Sequence, residues 1–299
     1  RERDWNKDLQ MADEIEDDRP LVKDLLDQHA AIIDAVKSNI KDDSLYDAKK
    51  YDDLWILRFV LSKKTEKKAT KAAIATMKYR KEHKIDELGD MRRKFLHPQQ
   101  DSELDSLQKK YLYCNPEWSF ILYHPDEEKS LMQIIDVSIS DMYKMGKTLN
   151  TQDLLGVYMR LNECMFQILD KTTRRTGRLT KICRILSLGA KFSAKMFSPT
   201  YVNADSKAAK EMQDYYPQLL GSVLVIDAPS AIGAVWKVMK HLFPKSVVEK
   251  FDFIYPTKNE KDMKPLLKYV SKEHLPKFLG GTREVWPPTE QRTTSNAFM

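Results

Sequence analysis

With 299 residues, 42% of them apolar and 10% aromatic, the chain can form one or two domains with a large core, which excludes global disorder. Its 50 Lys and Arg against 44 Asp and Glu give a net charge of +6, too dilute to indicate a nucleic-acid partner. Three cysteines without C-x-x-C spacing favour a reducing compartment. No apolar run reaches the roughly 18 residues of a membrane span, so we expect a cytoplasmic protein.

Residues 1–90 are predicted to be an all-helical N-terminal subdomain. Acidic residues before Pro20 are typical of a helix start, and apolar residues then recur at helical spacing as far as Val36. Asp52 and Asp53 precede a second apolar helix, and an alanine-rich third helix spans 69–84. The polar segment 91–110 is predicted to be a connector.

Short apolar segments alternate with helical ones over residues 111–282. The predicted strands are 131–137, 182–188, 223–228 and 251–255, and the predicted helices are 151–173, 200–216 and 231–243. This alternation indicates an α/β lobe with a mixed, partly parallel sheet. Residues 283–299 are predicted to be a polar C-terminal tail.

Motifs that carry catalysis or bind cofactors are absent from the sequence. It contains no G-x-G-x-x-G, no phosphate-binding loop, no G-x-S-x-G and no H-E-x-x-H. The six histidines are scattered, without the spacing of metal ligands. We therefore expect no enzyme, no metal and no cofactor.

Four segments, in order, resemble the CRAL-TRIO lipid-binding family. They are Leu57–Leu61 with Met77–Arg80, Asp214–Gly221 with Val223–Ala228 and Pro229, Val235–Phe243, and Leu275–Thr282. The resemblance covers about residues 45–282. It implies a helical N-terminal subdomain from about residue 45 and a lobe in which a sheet floors an apolar cavity under an amphipathic gate helix.

The resemblance also implies a function. We expect the protein to bind a single hydrophobic ligand, most simply a phospholipid with phosphatidylinositol as a candidate, and to exchange or present it at membranes. We expect a monomer that associates with membranes transiently and peripherally. We expect no nucleic-acid partner. The alternatives are a carrier or sensor of a non-phospholipid ligand (tocopherol, carotenoid, squalene or haem) and a regulator that presents lipid to a lipid kinase.

The resemblance and the strand periodicity together nominate site residues. Ile182, Arg184, Leu186 and Val223, Val225, Asp227 fall on single faces of two strands. The full set of candidate ligand-binding residues is Lys63, Ile182, Arg184, Leu186, Tyr215, Gln218, Leu220, Val223, Val225, Asp227, Ile232, Val235, Trp236, Met239, Val247 and Lys250. The candidate membrane-facing gate residues are Trp236, Lys237, Lys240, Leu242 and Phe243.

Departures from the family pattern concern the lipid head group. Phosphatidylinositol-binding members resemble this chain at Lys63 and Lys250, but Gln218 replaces their acidic residue and Val247 replaces their threonine. Arg184 stands where choline-lipid binders have small hydroxyl residues, and a cation repels a quaternary ammonium. A buried Arg184 needs an anion, which is either Asp227 or a phosphate or carboxylate of the ligand.

A second basic group precedes the strand that begins at Ile182. Its members are Lys171, Arg174, Arg175, Arg178 and Lys181. This group is either a solvated loop or a surface that docks to acidic lipids.

Overall fold

The computed structural model describes residues 17–91, 106–114, 120–123, 131–136, 142–188, 198–226, 228, 232–254, 272, 277, 281 and 282. Across these ranges, no helix is long and apolar enough to cross a membrane. The predicted tail 283–299 and most of the predicted connector lie outside the described residues.

The described N-terminal residues, 17–91, form three α-helices and a short 3-10 turn. Helices α1 (Val22–Ile40), α2 (Asp53–Lys63) and α3 (Glu66–Glu82) pack on one another and are followed by the turn Ile85–Leu88. Asp52 starts α2 by accepting a hydrogen bond from the backbone N–H of Trp55, at 3.0 Å. Side chains from all three helices share one core, which includes Val36, Ile40, Ile56, Leu57, Phe59, Ala73 and Met77.

The C-terminal lobe begins inside the segment that the sequence predicts to be a connector. Its elements are α4 (Ser106–Cys114), β1 (Phe120–Tyr123), β2 (Leu131–Asp136), α5 (Met142–Thr148), α6 (Thr151–Thr176), β3 (Ile182–Ser187), α7 (Pro199–Tyr215), β4 (Leu220–Ile226), α8 (Ile232–Met239), a 3-10 turn (Lys240–Leu242), α9 (Lys245–Val248) and β5 (Phe251–Ile254).

Five strands form one sheet in the order β1-β2-β3-β4-β5. Strand β1 pairs antiparallel with β2, and the other three pairs are parallel. Each parallel pair is joined through helices, as a parallel connection requires. The predicted α/β class with a mixed, partly parallel sheet is therefore confirmed.

The two longest helices of the lobe have sequence-encoded ends. Asn150 and Asp153 form a capping box that starts α6, and Gly177 ends it in the left-handed conformation, with a φ of +68°. Ser198 accepts from the backbone N–H of Tyr201 and precedes Pro199, which starts α7. These ends fix where α6 and α7 lie over the sheet.

The N-terminal helices pack directly on the lobe through α3 and α7. The rings of Tyr79 and Tyr215 stack with centroids 3.9 Å apart and planes 11° apart. The hydroxyl of Tyr79 donates to Glu211 at 3.2 Å. The helical part therefore supports one wall of the lobe.

Candidate functional site

An internal cavity lies between the sheet and the helices α4 to α8. The empty space among its lining residues is about 1510 Å³, including the part open to solvent. Its walls are mostly apolar with a few polar groups, as in sites that bind small molecules.

The sheet forms the apolar floor of the cavity. On β3, Arg184 and Leu186 are partly exposed, whereas the alternating Cys183, Ile185 and Ser187 are buried. The partly exposed residues line the cavity because successive side chains of a strand point to opposite faces. The other strand residues that line it are Gln133, Ile135, Leu220, Val223, Val225, Phe251 and Phe253.

Helix α8 and the turn after it cover part of the cavity. Ile232, Trp236, Met239 and Phe243 line its interior. The ring of Trp236 lies 4.4 Å from that of Phe251 and 5.3 Å from that of Phe253, measured between centroids. The residues on the outer side are polar or exposed: Lys237 is exposed, and Val238 and Leu242 are 69% and 43% exposed. The segment is thus amphipathic across the cavity wall.

One part of the cavity wall is polar, and we call it the arginine cluster: Arg184, Gln133, Asp205, Tyr111, Tyr158 and Tyr201. Arg184 donates from Nε to Gln133 Oε1 at 2.6 Å, across the β2–β3 pair in which the two residues are partners. Burial lowers the pKa of Arg184, which the charge of Asp205 partly offsets. Burial raises the pKa of Asp205.

A second pocket adjoins the cavity, with which it shares Ala209, Met212, Leu220 and Val247. Its cationic side chains are Lys181 and Lys250, so we call it the lysine pocket. Burial, with a contribution from Lys181, lowers the pKa of Lys250 to about 8. Burial and the charge of Arg58 lower the pKa of Lys181. Lys250 Nζ donates to the carbonyl of Leu220 at 2.6 Å.

Neutral polar groups complete the lysine pocket. Gln213, Gln218, Ser62 and Ser246 line it, and the Nε2 of Gln213 donates to Ser246. The Oε1 of Gln213 is buried and has no hydrogen-bond partner among the described residues, which is costly for an amide. Gln218 has a φ of +62°. Two cations beside amides and hydroxyls, with no carboxylate among the described lining residues, suit an anion that carries hydroxyl groups.

The structure brings most of the predicted site residues together. Arg184, Leu186, Leu220, Val223, Val225, Ile232, Trp236, Met239 and Phe243 line the cavity, Val247 lines both spaces, and Gln218 and Lys250 line the lysine pocket. Lys237, Lys240 and Leu242 lie on α8 and the turn that follows it, residues 232–242, which we call the gate segment.

Three predicted site residues have other surroundings. Lys63 pairs with Asp214 at 3.2 Å, Tyr215 stacks on Tyr79, and Ile182 is 1% exposed in the core between strands and helices. Asp227 and the side chain of Val235 lie outside the described residues.

Three members of the basic group before β3 have separate structural contacts. Arg174 pairs with Asp52 and Asp170 at 2.6 and 2.7 Å, and Arg178 donates to backbone carbonyls of residues 17 and 19. Lys181 lines the lysine pocket. The contacts of Arg174 and Arg178 hold chain segments together. The position of Lys181 beside Lys250 was not predicted from the sequence.

Sequence reasoning also missed Gln133, Asp205, Gln213, Tyr111 and Tyr201. Asp205 and Tyr201 on one predicted helix were the available signal, because polar residues on a helix face that packs on a sheet need partners. Among the residues that the structure describes, no group of His, Cys, Asp or Glu is placed to hold a metal ion.

A sheet and helices that surround a mostly apolar cavity, with Arg184 on its wall and two lysines in the adjoining pocket, suit the binding of an amphiphilic molecule. The family model for the CRAL/TRIO domain matches residues 118–281, more than half of the chain. The protein belongs to the CRAL/TRIO family, as the sequence motifs predict, and membership in this family implies binding and transfer of lipid.

Curated relatives extend the similarity beyond the family domain. The SEC14 cytosolic factor of Kluyveromyces lactis is 27% identical over 250 residues, covering 81% of this chain and 75% of the relative. That of Eremothecium gossypii is 25% identical over 268 residues, covering 87% and 79%. Among solved structures, the crystal structure of Sfh5 matches with a TM-score of 0.49 and 12% identity, covering 91% of this chain and 94% of the other.

Proposed function

We propose that the protein carries a phospholipid, with phosphatidylinositol as the first candidate, and exchanges it at membranes. The single observation that carries this proposal is that the lysine pocket adjoins the apolar cavity. The pocket suits the phosphate and hydroxyls of an inositol head group, and the cavity suits the acyl chains. The acyl chains lie in the cavity and the head group lies in the lysine pocket, since the two spaces share part of their walls.

The lysine pocket suits an inositol phosphodiester in charge and in hydrogen bonding. Lys250 and Lys181 neutralise the phosphate, and the unpaired Oε1 of Gln213 accepts from an inositol hydroxyl. Gln218 takes the place of the acidic residue of the family pattern, and its amide also binds hydroxyls. Val247 offers no hydrogen bond, so in this proposal the second lysine replaces the interaction that the threonine would supply.

The need for a carrier follows from the cost of exposing acyl chains. Transfer of each CH₂ group from a bilayer to water costs about 0.8 kcal/mol, so two long chains cost tens of kcal/mol. The apolar cavity supplies a shielded path between membranes. Helix α8 and the turn after it act as the gate, because their inner residues line the cavity and their outer side carries exposed Lys237, Val238 and Leu242.

The rest of the proposal follows from this mechanism. The protein works without catalysis or cofactor, as a cytoplasmic monomer that visits membranes transiently, and its partners are the lipid and the bilayer surface. Lys237 and Lys240 on the gate segment favour anionic membranes by about 1 kcal/mol each.

Transfer of labelled phosphatidylinositol between vesicles tests this proposal. We expect transfer by the wild type and at least about tenfold less by Lys250→Met, since a charge-assisted contact to the phosphate is lost. Lys245→Met, which removes an exposed lysine, is the control. Binding without transfer would indicate a sensor or a lipid-presenting regulator, and a visible absorption band of the purified protein would indicate a carotenoid or haem. Either result contradicts the proposed role.

A further inference from the structure

The arginine cluster places a charged guanidinium in an otherwise apolar chamber. Arg184 is anchored through Nε by Gln133, which is 2% exposed, and its two terminal nitrogens form no hydrogen bond with the described residues. Within the described ranges, Arg184 also has no carboxylate at ion-pair distance. A guanidinium remains charged in proteins, so this side chain brings a positive charge and several donors to the cavity.

Asp205 is the acidic residue that faces Arg184 from α7, and it compensates the charge incompletely. Burial raises the pKa of the Asp205 carboxyl, which weakens its negative charge, although the nearby Arg184 opposes that rise. The three tyrosines are buried around the two groups, and burial raises the pKa of Tyr111, Tyr158 and Tyr201. Their hydroxyls therefore stay protonated, and Tyr158 and Tyr201 hydrogen-bond to each other.

A cation whose terminal nitrogens have no hydrogen-bond partner among the described residues, at the wall of a mostly apolar cavity, is complementary to an oxyanion. A carboxylate or a phosphate monoester accepts two parallel hydrogen bonds from a guanidinium. A neutral hydrocarbon guest would leave the buried cation without a partner, which is unfavourable.

We propose that the cavity takes, as a second ligand class, an amphiphile whose terminal carboxylate or phosphate monoester binds Arg184. This inference rests on the proposed lipid-binding function and adds a ligand distinct from the one whose head group occupies the lysine pocket. The alkyl chain lies along the apolar wall that includes Leu186, Val225 and Trp236. The two ligands exclude each other because they use the same apolar walls.

Competition between an acid and its neutral ester isolates the charge of the head group. The protein is incubated with oleic acid and methyl oleate at equal concentrations, and the ratio of the two lipids recovered with it is measured by mass spectrometry. A parallel competition between oleoyl lysophosphatidic acid and oleic acid distinguishes the phosphate from the carboxylate. The wild type is expected to favour the acid at least about tenfold over the ester, the effect of a charge-assisted hydrogen bond.

Two variants should move this ratio in opposite directions. Arg184→Met is expected to abolish the preference for the acid, because it removes the cation and keeps an apolar side chain of similar length. Asp205→Asn is expected to increase the preference, because it removes a competing negative charge. Lys245→Met, which removes the charge of an exposed lysine that lines neither the cavity nor the lysine pocket, is the control and leaves the ratio unchanged.

Equal recovery of acid and ester by the wild type would overturn the inference and leave the proposed lipid-carrier function intact. Should Arg184→Met recover neither lipid, Asp205→Asn decides: a higher ratio supports the inference, and an unchanged ratio overturns it. A wild type that binds none of these lipids, and no lipid from vesicles, contradicts the proposed function and this inference together.

Discussion

Arg80 of α3 and Glu163 of α6 form a buried ion pair, with 2.9 Å between Nη1 and Oε2, that joins the N-terminal helices to the lobe. Their side chains are 12% and 3% exposed. The hydroxyl of Tyr216 donates to the same carboxylate at 3.0 Å. Burial by itself lowers the pKa of Arg80, but the attraction of Glu163 raises it above its ordinary value.

Glu163→Gln is expected to lower the free energy of unfolding by about 3 kcal/mol, measured by urea denaturation. This is the low end of the range for breaking a buried pair, because Arg80 keeps Asp86 at 2.7 Å. The matched control is Glu249→Gln, which removes the acid of an exposed pair and should cost about 0–1 kcal/mol. Equal losses for the two variants would contradict the importance of the buried pair.

Arg58 is the opposite case, a buried cation that is poorly compensated. It is 1% exposed, its Nε and Nη1 have no partner among the described residues, and its Nη2 lies 3.2 Å from Asp170. Because Asp170 retains Arg174 at 2.7 Å, Arg58→Met should raise the free energy of unfolding by about 1 kcal/mol. Chemical denaturation measures this change, and a loss of stability would show that the cation–π contact with Phe166 outweighs the cost of burial.

The affinity for phosphatidylinositol is expected to fall as the pH rises above about 8. In the ligand-free protein, burial lowers the pKa of Lys250 to about 8, so the lysine loses its proton above that pH. A bound phosphate favours the protonated form, and binding therefore takes up a proton in that range. Titration with phosphatidylinositol vesicles at several pH values measures the effect. Lys250→Met should bind weakly with a much flatter pH profile, and an equally steep profile in this variant would assign the titration to another group.

Aspartates on the outer face of the gate segment should prevent membrane docking without unfolding the protein. Val238→Asp and Leu242→Asp alter side chains that are 69% and 43% exposed, so both variants should fold normally. We expect each to reduce binding to anionic vesicles about tenfold, since apolar contact is lost and a negative charge is gained. Sedimentation with vesicles measures the binding.

Leu21→Asp provides the control for the gate variants, because Leu21 precedes α1 and is also 43% exposed. It should bind vesicles like the wild type. A reduction as large as that of Leu242→Asp would show that the gate segment has no special part in docking.

The sequence predicted the elements whose periodicity is strong, and the reason is local. Apolar runs predicted β2 to β5, and the capping residues Asp52 and Asn150 stand where helices begin. Strand β1, which pairs antiparallel with β2 at one edge of the sheet, was missed.

The two polar sites could be predicted only in part, because they depend on which distant residues meet. Arg184 was singled out, but its partner Gln133 follows from the register of β2 and β3, which no single segment encodes. Lys181 precedes β3 and Lys250 precedes β5. The two lysines come together because these strands lie on either side of β4 in the sheet. Asp205 lies on a helix whose orientation over the sheet sets its role.

The native mass of the protein, measured after incubation with phospholipid vesicles and removal of the vesicles, tests the enclosed-lipid account most directly. The account predicts a complex whose mass exceeds that of the chain by one phospholipid, which dissociates into protein and lipid on activation. A spectrum that contains only the bare chain, from a protein shown to be folded, would contradict it.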